Sequence, residues 1–314
     1  MRYFMTEQLR GGQRMRRALL ALGAALALAG ALGLHGRAPA AEIEQPAYDK
    51  GLLWRIEKPG SAPSYLFGTI HVSDKRVTAL PDAVRAQLDA ARSFTMEVAL
   101  DAPNVAALAA RMIYTDGRTL PQVAGEKLFR EVAPLLAALG LPEEVARLFK
   151  PWAAMMMIAV PQQQTEDMLD ATLQRIAVRQ GKPVHYLETV DDQVAAFDGM
   201  SESDQVALLA HTVETRHELP EATEKLLQAY LARDLGRIWQ LNEDSVRERP
   251  ELKPLSDVFA RRVLYDRNAR MFERMQSDLK EGNAFVAVGA LHLYGGQGLL
   301  ALLARDGWLV TSVY

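Results

Sequence analysis

The hydrophobic pattern of this chain changes period more than once. Two short apolar runs, Leu52-Leu53-Trp54-Arg55-Ile56-Glu57 and Ser64-Tyr65-Leu66-Phe67-Gly68-Thr69-Ile70-His71, flank Lys58-Pro59-Gly60-Ser61-Ala62-Pro63. Apolar runs on either side of such a cluster predict strand, turn, strand. Residues 81–92 then place Ala83, Val84, Leu88 and Ala91 at helical spacing, with Pro81 near the first turn. Ser93-Phe94-Thr95-Met96-Glu97-Val98 returns to a strand pattern. Strand, helix, strand at this spacing is a parallel crossover unit.

From residue 104 to about residue 180 the pattern is helical, broken at Asp116-Gly117, Gly140-Leu141-Pro142 and Lys150-Pro151-Trp152. Lys182-Pro183-Val184-His185-Tyr186-Leu187-Glu188 predicts another strand, and residues 201–217, 220–233 and 256–280 predict amphipathic helices. The chain closes with a strand ending Gly289-Ala290-Leu291-His292, a Gly295-Gly296-Gln297-Gly298 turn, a helix over 299–305 and a strand over 308–313. These elements predict an α/β fold. Its central sheet is mostly parallel or mixed and built from two strand-Gly-x-x-His halves, with a large helical insertion roughly over 102–280. A single domain over 41–314 is expected.

The first forty residues read differently. Arg14, Arg16 and Arg17 precede residues 18–34, a run without polar side chains, and Ala38-Pro39-Ala40 follows. A basic start, an apolar stretch and an Ala-x-Ala exit make an export signal cleaved near Ala40; the alternative is an uncleaved N-terminal anchor. An exported, periplasmic or envelope location is expected, with no other stretch apolar enough to span a membrane. Losing that segment removes six arginines and one glutamate, which moves the net charge from −3 to −8. An acidic chain without basic blocks excludes nucleic acid as a partner. The absence of cysteine excludes disulfides, thiolate catalysis and thiolate metal sites.

What carries chemistry is the repeated Gly-x-x-His. His71, Glu97 and His292 each close a predicted strand, at the edge where parallel sheets bind ligands. Two imidazoles and a carboxylate form a catalytic metal set with a position left for water, suited to manganese, cobalt or zinc. Glu97 would then be ligand or general base. Gly68 and Gly289 would permit close approach of a backbone or ligand. Glu188, also at a strand end, is a secondary candidate, and Arg267, on a helix before the second motif, can hold a carboxylate or developing charge. Met155-Met156-Met157 reads as core, His185 as packed within its strand, and His211 and His217, six apart, as facing different ways.

These residues resemble the TraB/GumN family, which includes the Tiki proteins, over residues 52–313. The carriers are Gly68-Thr69-Ile70-His71, Gly289-Ala290-Leu291-His292, Met96-Glu97-Val98, Lys150-Pro151-Trp152, Gly181-Lys182-Pro183-Val184, Leu187-Glu188-Thr189 and Arg267-Asn268. Gln162-Gln163-Gln164-Thr165 is a departure, since members of the family often carry a glycine there before the next helix. The resemblance implies a fold shared with erythromycin-esterase-like and ChaN-like proteins. In its Tiki branch it implies a metal-dependent protease using the two histidines and the glutamate.

Two functions follow as expectations. One is an exported metal-dependent hydrolase, most simply a peptidase, acting on a peptide or small molecule, with Arg267, Asn268 and Glu188 at the substrate. The other is a non-catalytic ligand- or haem-binding envelope protein in which Tyr65 and Tyr294 assist the histidines.

Overall fold

The computed structural model describes residues 48–160 and 168–314. The expected signal segment and the 162–165 departure lie outside the described residues. No helix among the described residues is long and apolar enough to cross a membrane. Within them the chain forms two compact units, one of residues 100–160 and 190–220, the other of residues 48–99, 168–189 and 221–314. The helices between 102 and 280 are therefore shared between the units.

The second unit holds a six-stranded sheet, made of β1 (Leu53–Glu57), β2 (Ser64–Thr69), β3 (Ser93–Met96), β4 (Val184–Tyr186), β5 (Ala284–Gly289) and β6 (Leu309–Ser312). Their order is β4-β3-β5-β2-β1-β6. β2, β3, β4 and β5 run parallel, whereas β1 pairs antiparallel with both β2 and β6. The mixed α/β sheet expected from the strand pattern is therefore present. β5 lies between β2 and β3, and all six of its residues are buried, which is why its apolar pattern does not alternate. The two Gly-x-x-His strands are direct neighbours, with Thr69 opposite Gly289.

Alternation assigns the faces. Phe67, Phe285 and Phe94 form a row of rings on one face, at centroid distances of 6.0 and 6.3 Å. The register puts Leu66, Val286 and Thr95 on the other face. Thr69 shares the phenylalanine face and bonds to the Leu169–Arg179 helix; Thr95 bonds to the Asp266–Glu281 helix. These two helices therefore meet opposite faces of the sheet.

The Asp266–Glu281 helix does not begin cleanly. A π-helical turn, Arg261–Tyr265, joins it to the Lys253–Ala260 helix, where the sequence pattern gives one continuous element. Single π turns of this kind recur at functional sites. Arg267 and Asn268 follow this turn, and both are buried. A further helix, Leu235–Glu248, stands where the pattern gave no element; its run of polar residues hides the few inward positions, Leu235 and Ile238 among them.

The first unit is helical apart from an isolated bridge between Ile113 and Phe149. At its heart is the Pro151–Ala159 helix, buried on every side, with Pro151 at its first position. Met155, Met156 and Met157 lie within this core. Trp152 stacks on Phe197 at 5.6 Å and donates through Nε1 to Asp198 at 2.6 Å. Lys150 donates to the same Asp198 at 2.7 Å, so Lys150-Pro151-Trp152 both opens this helix and ties it to Asp198.

Candidate active site

Because β2, β3, β4 and β5 are parallel, their C-terminal ends share one edge, and each delivers a candidate there. His71 follows β2 by two residues, Glu97 follows β3 directly, and Glu188 follows β4 by two. His292 ends a 3₁₀ turn, Ala290–His292, immediately after β5. His71, Glu97, Glu188 and His292 are all buried. Gly68 makes room for that turn. A Cβ at Gly68 would lie 2.7 Å from Leu293 Cδ1 and 3.2 Å from the Ala290 Cα, so a larger residue would displace the turn that carries His292.

Glu97 is the hub. Its Oε1 accepts from the Gly289 N–H at 2.7 Å and lies 3.9 Å from His292 Nε2; its Oε2 accepts from Arg267 Nη2 at 2.7 Å. Arg267 also grips Glu188, with Nε 3.0 Å and Nη2 2.6 Å from Glu188 Oε2, and Arg270 reaches Glu188 Oε1 at 3.2 Å. Arg267 thus bridges two buried carboxylates, and its guanidinium is committed to protein partners.

Each histidine is anchored through Nδ1, by different means. His71 Nδ1 lies 2.8 Å from Asp170 Oδ2, while Asp170 Oδ1 accepts from the Thr69 hydroxyl at 2.8 Å. His292 Nδ1 lies 2.6 Å from Asn268 Oδ1. The Asn268 amide is oriented by chemistry, since its Nδ2 must donate to the Gln297 carbonyl at 2.8 Å, which leaves Oδ1 to face the ring. Both Nδ1 atoms face pure acceptors and so carry protons, and in the neutral rings the lone pair lies on Nε2.

The charges reinforce one another. Burial pushes the Glu97 carboxyl up, but Arg267, His292, His71 and the Gly289 N–H together hold it down to about 2. Burial lowers the His71 imidazole, yet Asp170 and then Glu97 outweigh it and leave the ring raised above its ordinary value. Burial opposes the Arg267 charge, and Glu188 and Glu97 more than restore it. A carboxylate held this low is ionised at any physiological pH and is a weak proton acceptor, so its main action is to stabilise positive charge beside it.

For a metal ion, the two imidazoles fit by type and by tautomer, since ligating histidines characteristically donate Nδ1–H to an oxygen acceptor and coordinate through Nε2. The carboxylate is placed differently, with each oxygen engaged by a protein N–H. Among the described residues no three His, Asp or Glu side chains are gathered as a ready-made metal cage.

The sequence pattern passed over two carboxylates. Asp170 occupies the inward stripe of the Leu169–Arg179 helix, with Leu169, Leu173 and Ala177. Asp278 occupies the inward stripe of Asp266–Glu281 and binds His185 Nδ1 at 2.8 Å and the Thr95 hydroxyl at 2.7 Å. His185 thus has a specific carboxylate partner besides its place in β4. A carboxylate at a core position of an amphipathic helix was the available signal. Of the tyrosines, Tyr294 donates its hydroxyl to Asp49 at 2.7 Å and sits against Trp239, and Tyr65 lies near the start of β2, the end remote from His71.

Comparison with known proteins adds the following. The TraB/PrgY/gumN family matches residues 52–312. Relatives include Metalloprotease TIKI1 of Xenopus tropicalis, 25% identical over 82% of this chain and 60% of the relative. The human Metalloprotease TIKI1 is 24% identical over 82% of this chain and 61% of its own length. A Shigella flexneri protein, Uncharacterized protein YbaP, is 26% identical over 79% of this chain and 90% of its own. The chain thus spans about three fifths of the length of the Tiki relatives it matches. No solved structure matches.

Proposed function

Because this chain belongs to the TraB/PrgY/gumN family, we propose that it is an exported, metal-dependent hydrolase, specifically a peptidase, that works at the Glu97-centred edge of the sheet. The observation that carries the reading is the pair of Nδ1-anchored imidazoles coupled to one buried, ionised carboxylate. The relatives named metalloproteases support the same reaction class.

In this reading His71 and His292 would hold the ion, and Glu97, kept in place by Arg267 and the Gly289 N–H, would supply a negative charge beside it. The chemistry such an ion, of manganese, cobalt or zinc type, would supply when bound is a more acidic water at neutral pH and polarisation of a carbonyl. Everything else falls to the chain. Asp170 and Asn268 orient the imidazoles. Arg267 keeps Glu97 ionised and holds it and Glu188 at fixed positions, so that it and Asn268 serve the substrate through the residues they hold. Burial excludes bulk water, which strengthens each of these charge interactions.

The test is metal analysis and peptide hydrolysis with purified protein supplied with Mn²⁺, Co²⁺ or Zn²⁺, beside His71→Ala and His292→Ala. About one ion per chain and measurable peptide cleavage are expected, with both lost in each variant. Wild-type protein that takes up no ion and cleaves no peptide would sink the reading.

A further inference from the structure

We propose that Asp170 is a positioning residue for His71, and that it makes His71 a stronger electron donor than His292. The Thr69 hydroxyl and the His71 ring each use one of its oxygens, at 2.8 Å, and Asp170 is only 6% exposed. The carboxylate is therefore held by a residue two positions before the histidine it orients. Strand β2 delivers both partners, Thr69 as its last residue and His71 just beyond. A carboxylate braced this way fixes the ring plane and leaves ligation to Nε2.

The counterpart at His292 also engages Nδ1, but with a different charge and a different brace. Asn268 Oδ1 accepts from Nδ1 at 2.6 Å, but it is a neutral amide held in place by the Gln297 carbonyl. An anionic acceptor draws the Nδ1 proton harder than an amide and so places more electron density on Nε2. The two imidazoles are consequently unequal: His71 is braced by a charge, His292 by a dipole.

The ligand-strength half of this inference rests on the metal reading above; the orientation half does not. The experiment separates them. Long-range ¹H–¹⁵N spectra of the metal-free protein, recorded above the histidine titrations, should show His71 with Nδ1 protonated in wild type. Asp170→Ala should convert it to an Nε2–H or mixed ring, while His292 keeps its signature. Calorimetric titration with Mn²⁺, Co²⁺ or Zn²⁺ should show affinity weakened roughly 10–100-fold in Asp170→Ala and about 10-fold in the isosteric Asp170→Asn. Thr69→Val, which removes only the brace, should weaken it less and in the same direction. An Asp170→Ala ring that keeps Nδ1–H overturns the orientation, and Asp170→Asn with wild-type affinity overturns the asymmetry. If wild type takes up no ion, the metal reading falls while the spectra still judge Asp170. Should Asp170→Ala fail to fold, Thr69→Val supplies the spectral arm, with unchanged His71 line positions counting against the proposal.

Discussion

The sheet carries the same three-residue cluster twice, on opposite faces, with opposite consequences. Thr69, Asp170 and His71 make hydrogen bonds of 2.8 and 2.8 Å; Thr95, Asp278 and His185 make bonds of 2.7 and 2.8 Å. In both, a strand threonine and a histidine share a buried aspartate from a covering helix. His71 has a side chain 4% exposed, lies past the C-terminal end of its strand, and feels Glu97 and Arg267. His185 sits within the edge strand β4 with a side chain 42% exposed. The difference teaches that an aspartate–histidine pair is not a site by itself. It becomes one at the strand end, where a second carboxylate, a buried guanidinium and another imidazole converge in low dielectric. At the edge strand the same pair satisfies a buried aspartate.

The sharpest way to break this contrast is to remove the buried guanidinium at the strand ends, whose charge His71 feels. Arg267→Ala leaves Glu97 and Glu188 buried without their shared counter-charge and should cost about 3–5 kcal/mol of unfolding free energy. Arg270→Ala, at a partly exposed partner of Glu188, should cost less than about 1 kcal/mol. Urea unfolding of both variants decides the matter, and equal losses would undo the claim that Arg267 holds the site together.

Acid sharpens it further. Glu97 is held at about 2 against an ordinary 4.5, so its contribution is fully present above about pH 4.5 and lost as pH falls through about 2. A depression of that size corresponds to a contribution on the order of 3 kcal/mol. Glu97→Gln should therefore flatten the acid limb of the stability curve between those pH values. A variant with the wild-type slope there would show that the depression is absent.

The smallest expected effect is on the other face. His185→Ala should cost about 1–3 kcal/mol, because Asp278 loses a donor while buried, yet leave metal content and peptide cleavage unchanged. His71→Ala should carry a similar stability cost, because Asp170 loses the same donor, but should also lower kcat/KM by at least about 100-fold. Loss of activity in His185→Ala with a native melting curve would mean that the two aspartate–histidine clusters are not functionally distinct.

How much of this was legible beforehand follows from the range of each interaction. The strand ends at His71, Glu97, Glu188 and His292 are marked by local period and residue type, and the inward polar positions Arg267 and Asn268 lie on a recognisable helix. The partners of these residues are not marked. Asp170 meets a histidine 99 residues away, and Asp278 meets one 93 residues away. Each appears in the sequence only as a carboxylate on an apolar stripe. The π turn before Arg267 is invisible to a pattern with one helical period.

By itself the sequence determined that two Gly-x-x-His strands and a glutamate strand would be built, because apolar periodicity and turn residues act over a few positions. Only the tertiary structure decided that β5 would slot between β2 and β3, since burying both faces of an apolar strand requires a neighbour on each side and covering helices above and below. That placement gathers Glu97, Arg267 and the two imidazoles at one edge. It also decided that one imidazole would be braced by a charge and the other by an amide. Those are long-range choices, fixed by which buried polar group each anchor must satisfy.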